Sequence, residues 1–432
     1  MVELCTKGEF ERLRSVDKLG VSPKDWANQV MTSLPGTSQP AANDKLFTRQ
    51  FVLLLAMMAC FGLSWSFYLI LPKFLATELS LDAAGIGRVV GVQGLTAVAV
   101  TPVVGWLVDR YGRLPWLIAG NVMLMLTGIA FVFVEDVGPL LYSAQITWGM
   151  GMVMTFNSAG TITADMAPKG RMAEAIGFFG AANLAMNAVS PTIGEILEST
   201  VGWDYVFIAS ATAGAFAAVL GAFLKEPPKH VPHELEERRP ILGMPMLRVY
   251  GATLAITASF AALFTLHQPY ALGEGVTQIR SFFIGFALLA LTVRLGGGRL
   301  IDRFGVLRSS VVSIALYATV PPLLGLVGPT HLFLVGAAMG VAHGVAYPAL
   351  TALGIARASA SSRGMVVSIV HGAFNGGHAF FAYTLGMVAV STGYPTAFWI
   401  AGAVTLGGAV LLAVNRAPAP APLGRASGTA AE

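Results

Sequence analysis

Twelve apolar runs, each close to the length of a membrane-crossing helix, set the limits on what this chain can fold into. They fall at about 51–71, 84–107, 115–134, 139–163, 172–195, 204–224, 247–269, 276–300, 308–328, 332–355, 364–388 and 394–414. A helix needs roughly 20 mostly apolar residues to cross the hydrocarbon core of a bilayer. No water is present there to satisfy backbone polar groups, so a crossing segment of this kind must be helical. Only 12% of residues are charged, against roughly 25% in soluble domains, so the lipid bilayer is the expected solvent. The net charge of +4 does not point to nucleic acid, because the basic residues are split among short loops.

Six runs lie on each side of a polar stretch, which divides the chain into a polar arm at 1–48, a first half at 49–224, a central loop at 225–246, a second half at 247–415 and a tail at 416–432. The arm lacks the short apolar core of a signal peptide, so no cleavage is expected. The Ala417-Pro-Ala-Pro-Ala-Pro422 tail is expected to be extended and disordered. Lys and Arg collect on alternate loops: Arg110, Arg113, Lys169, Arg171, Lys225, Lys229, Arg303, Arg308, Arg357 and Arg363 on one side. The opposite loops hold Lys73, Arg280 and mostly acidic residues such as Glu135, Asp136, Glu198 and Glu274. Basic loops stay in the cytoplasm, so both termini and the central loop are expected there, in a cell (inner) membrane.

One short signature occurs twice. Gly105-Trp-Leu-Val-Asp109-Arg110-Tyr-Gly112-Arg113 and Gly298-Arg-Leu-Ile-Asp302-Arg303-Phe-Gly305 both read G-x-x-x-D-R-x-G, and both end an apolar run. A charged loop repeated at matching places in two halves marks an internal duplication of membrane helices. The pattern resembles the major facilitator superfamily of secondary transporters, over about 51–415. That resemblance implies an all-α fold of twelve transmembrane helices in two six-helix, pseudo-symmetric halves, with alternating access between two faces.

It also implies roles. Gly112 and Gly305 supply permissive backbone for tight turns. Asp109 and Asp302 are placed to meet a helix N-terminus and its positive dipole end, with Arg110, Arg113 and Arg303 as counter-ions. In the superfamily this loop is a conformational latch. Leu114 and Val306 stand where further basic residues are usual. A second charged group, Asp165, Arg171 and Glu174, matches the place of Arg357 and Arg363 in the other half, and similar groups in the superfamily tie helix ends together. Ser190-Pro191-Thr-Ile-Gly194-Glu195 is similar to the G-P-x-x-G-G element of the drug:proton antiporter branch. Gln145 stands where that branch carries a buried Arg.

Polar residues inside a span are functional candidates by default. Here the ten polar candidates are Gln93, Gln145, Asn183, Asn187, Arg294, His343, Tyr347, His371, Asn375 and His378, and the first run adds the amphipathic rings of Trp65 and Tyr68. Spacings of four and three put His371, Asn375 and His378 on one helix face, and Asn183 and Asn187 are four apart. These residues are placed to line one central cavity between the halves. Arg294 has three open fates: pairing with a substrate carboxylate, pairing with Asp302, or snorkelling to the membrane surface. Imidazole titrates near neutrality, so the three histidines, with the shallower Glu195 as alternative, are candidates for proton coupling.

There is no Walker motif and no metal-ligand spacing, and neither cofactor nor enzymatic activity is expected. The expected function is secondary active transport of a small organic solute, with export coupled to protons favoured. Proton-linked uptake of an organic anion at Arg294, and a transporter-like sensor or assembly partner, remain as alternatives. A monomer is expected.

Overall fold

The computed structural model describes residues 46–168, 171–226, 241–358 and 362–414. The arm up to residue 45, the tail from residue 415, most of the central loop and Lys169 lie outside the described residues. So do the side chains of Asp109, Asp302 and Arg303, together with Gly298.

Every regular element among the described residues is helical, and the elements form twelve rods. The first, α1, runs as Arg49–Ser66, a 3-10 turn Phe67–Ile70 and Leu71–Thr77. It is followed by α2 (Ala83–Tyr111), α3 (Leu114–Val132), α4 (Pro139–Met166), α5 (Met172–Val201) and α6 (Trp203–Ala222). The second set begins with α7, built from Met244–Ala261, a π-helical turn Ala262–Leu266 and His267–Gly273. Then come α8 (Arg280–Phe304), α9 (Val306–Val327), α10 (Leu332–Arg357), α11 (Arg363–Thr392) and α12 (Tyr394–Ala413).

Local chemistry explains the rod ends. The Thr48 hydroxyl accepts the Phe51 N–H at 3.2 Å and the Asp82 carboxylate accepts the Gly85 N–H at 2.7 Å, each satisfying an orphan donor of a first turn. Proline opens α3, α4, α7 and α12, where its missing N–H costs nothing. The repeated signature ends in Gly112 at φ +93° and Gly305 at φ +82°, a backbone region open to glycine.

Eight rods are long and apolar enough to cross a membrane by length and composition alone. The rods α4, α5, α8 and α11 carry Gln145, Asn183, Asn187, Arg294, His371, Asn375 and His378 inside their apolar runs. Large apolar residues such as Phe216, Phe223, Val312 and Leu326 are exposed, as expected of a surface solvated by lipid.

The packing repeats between halves. In the first, α1 packs on α5 and α6, α3 on α4 and α6, and α2 on α4. In the second, α7 packs on α11 and α12, α9 on α10 and α12, and α8 on α10. Adding six to each helix number converts one set into the other. The halves meet where α2 packs on α11 and α5 on α8, and this pair of contacts is also its own image. Close approach needs small residues. A Cβ on Gly87 would collide with the Ala382 carbonyl, and one on Gly386 with the Ala83 carbonyl.

Candidate functional site

One cavity of about 220 Å³ lies between the halves. Nine of the ten polar residues expected in the spans line it: Gln93, Asn183 and Asn187 from the first half, and Arg294, His343, Tyr347, His371, Asn375 and His378 from the second. The tenth, Gln145, is fully buried outside the lining, and neither its amide nitrogen nor its amide oxygen has a hydrogen-bond partner. Arg294 stands at the cavity wall, so of its three fates the structure does not place it at the membrane surface.

The lining is held from behind. Asn187 Oδ1 accepts the Ser66 hydroxyl at 2.8 Å, and Asn375 donates to the His371 carbonyl at 3.0 Å. His378 Nε2 lies 3.3 Å from the Thr265 hydroxyl. The His343 ring stacks on Tyr347, with centroids 5.7 Å apart and planes 12° apart.

Much of the remaining wall is aromatic: the expected Trp65 and Tyr68 are part of it, whereas its phenylalanines are not revealed by reasoning about polar groups. Trp65, Tyr68 and Trp148 face the cavity from the first half, and Phe260, Phe264 and Phe374 from the second. Phe260 stacks on Phe264 at 4.3 Å, and Tyr68 lies 4.9 Å from Trp148. Each Phe reads as ordinary apolar core in the sequence, so nothing local separates a lining Phe from a packing one.

Polar groups from both halves meet next to Leu69, Leu71 and Pro72, which line the cavity. Glu195, at the end of α5 and 2% exposed, accepts the Ile279 N–H at 2.7 Å and the Arg280 N–H at 3.0 Å. Lys73 lies 3.6 Å from Glu195 and 2.7 Å from Glu198, and the Arg280 guanidinium is 3.9 Å from Glu195. Beside them Gln268 accepts the Lys73 N–H at 3.1 Å and donates to the Leu69 carbonyl at 2.7 Å, joining α7 to α1. Gln268 and the adjacent buried His267 carried the signal used for the other ten, a polar side chain inside an apolar run. They stand outside the expected set all the same.

The opposite end of the helices carries the repeated signature. Among the described residues a carboxylate meets the N-terminus of α3 from Glu226, which accepts the Arg113 N–H at 2.9 Å and the Leu114 N–H at 3.0 Å. Arg113 pairs with Asp165 at the end of α4, and its other guanidinium nitrogen lies 3.3 Å from Glu226. Arg110 instead lies over the rings of Trp106 and Tyr111, at 5.3 Å and 5.5 Å. Of the expected Asp165, Arg171 and Glu174, each has a described partner. Asp165 joins Arg113, while Arg171 and Glu174 form an exposed i,i+3 pair at 2.7 Å, a type worth little in stability. Gly105 faces open space, with nothing within 4 Å of a Cβ built on it.

Two matching bundles of membrane helices with a polar cavity at their interface form the architecture of secondary transporters. The chain belongs to the Major Facilitator Superfamily, whose family model matches residues 52–272 and 249–431. An uncharacterised MFS-type transporter of Mycobacterium tuberculosis is 27% identical over 283 residues, 61% of this chain and 65% of that relative. Multidrug resistance protein 1 of Bacillus subtilis is 24% identical over 236 residues, 52% of this chain and 59% of that relative. The chain thus spans less than two thirds of the length of either. Among solved structures, a D-xylose-proton symporter superimposes with a TM-score of 0.69 at 16% identity, covering 84% of this chain and 96% of the symporter. That likeness concerns the fold.

Proposed function

We propose that this protein is a secondary transporter that moves a small organic solute across the cell (inner) membrane by alternating access. The observation that carries the reading is the cavity itself: it lies between the halves, draws polar side chains from both, and is flanked toward Glu195 by hydrogen bonds that cross from one half to the other. A site at the interface of two matching bundles changes its exposed side when the bundles rock about it.

The bias of Lys and Arg toward one set of loops supports placing the Arg113 end and both termini in the cytoplasm. In that orientation the Glu195 end is external. Export is the favoured direction in this reading, supported by the printed name of the multidrug resistance relative. The division at 225–246 into two halves gives the moving units, and a single chain carries the complete cavity. We assign the latch role to Gly105, Asp109, Arg110, Gly112 and Arg113 with their repeat Gly298, Asp302, Arg303 and Gly305. Asp165, which pairs with Arg113, belongs with them. Protons supply the drive in this reading, through the cavity histidines.

Proteoliposomes containing the full chain, preloaded with a panel of anionic, cationic and neutral amphiphiles, test this. An imposed pH gradient is expected to accelerate movement of at least one class over protein-free vesicles. Equal rates with and without protein for every class, from a chain that elutes as a folded species, would falsify the transport reading.

A further inference from the structure

The cavity wall is uneven in charge. Among the described lining residues Arg294 is the one permanently charged side chain, and no aspartate or glutamate accompanies it. Arg294 takes part in none of the described ion pairs. Its Nε is buried without a hydrogen-bond partner. Arg294 as a whole is half-buried, and a charge within a membrane span is costly, so membrane proteins keep one where function requires it.

The guanidinium is also given room on purpose-built ground. A Cβ on Gly180, across the interface on α5, would come within 3.3 Å of Arg294 Nη1. The absence of a side chain at that position leaves the space into which Arg294 projects from α8. The same cavity is lined by aromatic rings: Phe374 lies 5.0 Å from Tyr347 and 4.9 Å from Phe260, and Trp148 lines it from the other half. Aromatic faces favour offset or edge contacts with a further ring, and an arginine fork favours a planar oxyanion.

Resting on the transport reading above, we propose that the solute is a singly charged organic anion bearing an aromatic ring, its anionic group paired with Arg294 and its ring held between the aromatic walls of the two halves. A cationic amphiphile meets like charge at Arg294 and finds no described carboxylate in the lining. A dianion finds one permanent cation where it needs two.

The test uses the purified full chain and four probes: 1-naphthoate, 1-naphthylmethylamine, 1-naphthylmethanol and octanoate. Equilibrium dialysis measures binding, and proteoliposomes measure flux. Naphthoate is expected to bind more tightly than the amine and the alcohol by about tenfold or more, the scale of one charge-assisted pair, and more tightly than octanoate, which keeps the carboxylate but lacks the ring. Arg294→Gln is expected to erase the advantage of naphthoate over the alcohol while leaving the alcohol unchanged, and Arg294→Lys to restore part of it. Gly180→Val, which crowds the guanidinium without touching its charge, should weaken naphthoate more than the alcohol. If Arg294→Gln does not fold, the wild-type ranking and Gly180→Val decide alone. The proposal is overturned if the amine binds as well as naphthoate, if octanoate matches it, if Arg294→Gln keeps the preference, or if no probe binds. Flux of the amine or alcohol without naphthoate binding sinks the anion and leaves transport standing. Naphthoate binding without flux supports the site and sinks the transport reading.

Discussion

Glu195 Oε1 accepts the backbone N–H of Ile279 at 2.7 Å, so a carboxylate from the end of α5 caps the first turn of α8 in the other half. The opening turn of a helix presents unsatisfied N–H groups and the positive end of its dipole. Lys73 and Arg280 add positive charge around the same carboxylate. Three segments are thus tied through one side chain, and a closure of this kind opens if that side chain is removed.

Glu195→Ala is accordingly expected to weaken this closure by about 3 kcal/mol, the scale of breaking a buried pair. The measurement is labelling of a cysteine at position 69 by a membrane-impermeant maleimide added outside, in a background without Cys5 and Cys60. Labelling should become faster in the alanine variant. Glu195→Gln keeps an acceptor and should fall between the two. An unchanged labelling rate in Glu195→Ala removes the gate assignment.

At the opposite end Glu226 is both a cap for α3 and a partner of Arg113, which also holds Asp165. Glu226→Ala should lower stability by about 1 kcal/mol through the lost cap. The double variant Glu226→Ala with Asp165→Asn should depart from additivity by about 0.5 kcal/mol or more, because both carboxylates share one guanidinium. Midpoints of unfolding in mixed micelles report both values, and strict additivity would show that the two carboxylates act independently.

Helix positions and the polar wall of the cavity were legible because they follow from periodicity and from the rarity of polar groups in apolar runs. Nine of ten residues chosen that way line a single cavity. What escaped the sequence depends on distance across the chain. Glu226 follows α6 in a polar loop, and nothing local shows that it turns back to α3. The N–H groups of Arg113 and Leu114 are met by that distant carboxylate. Glu195 read as a worn motif position because Ile279, its partner, lies in the other half. The phenylalanines of the wall were hidden for another reason, since Phe374 and Phe398 have the same composition signal and only one of them faces the cavity.

Two glycines of α2 separate folding from motion. A side chain on Gly87 would collide with the Ala382 carbonyl, whereas Gly105 has open space. Gly87→Leu is therefore expected to destabilise the fold by about 1–3 kcal/mol, as overpacking does, and to lower the yield of folded protein. Gly105→Leu should fold normally. If the Gly105 face closes against the other half during transport, the same variant should lose most of its flux. Normal flux in Gly105→Leu would show that this glycine is not part of the moving contact.

Proton coupling, if it runs through the cavity, must run through groups that are there. His378 touches Thr265, His343 stacks on Tyr347, and the His371 ring lies 5.8 Å from Tyr347 and 6.1 Å from Phe156. The titratable and charged groups among the described lining residues are these three, Arg294, Tyr347 and Tyr68. An imidazole that changes its exposed side with the rocking of the halves takes a proton on one face and releases it on the other. Replacing His343, His371 and His378 by Gln, singly and together, keeps polar side chains but removes this titration. The triple variant should still exchange solute in counterflow with no gradient, and should no longer respond to an imposed pH gradient. A triple variant that still drives solute uphill on a pH gradient alone would move the coupling to Glu195 or to a cation other than the proton. A sodium gradient applied to the same vesicles separates those two outcomes.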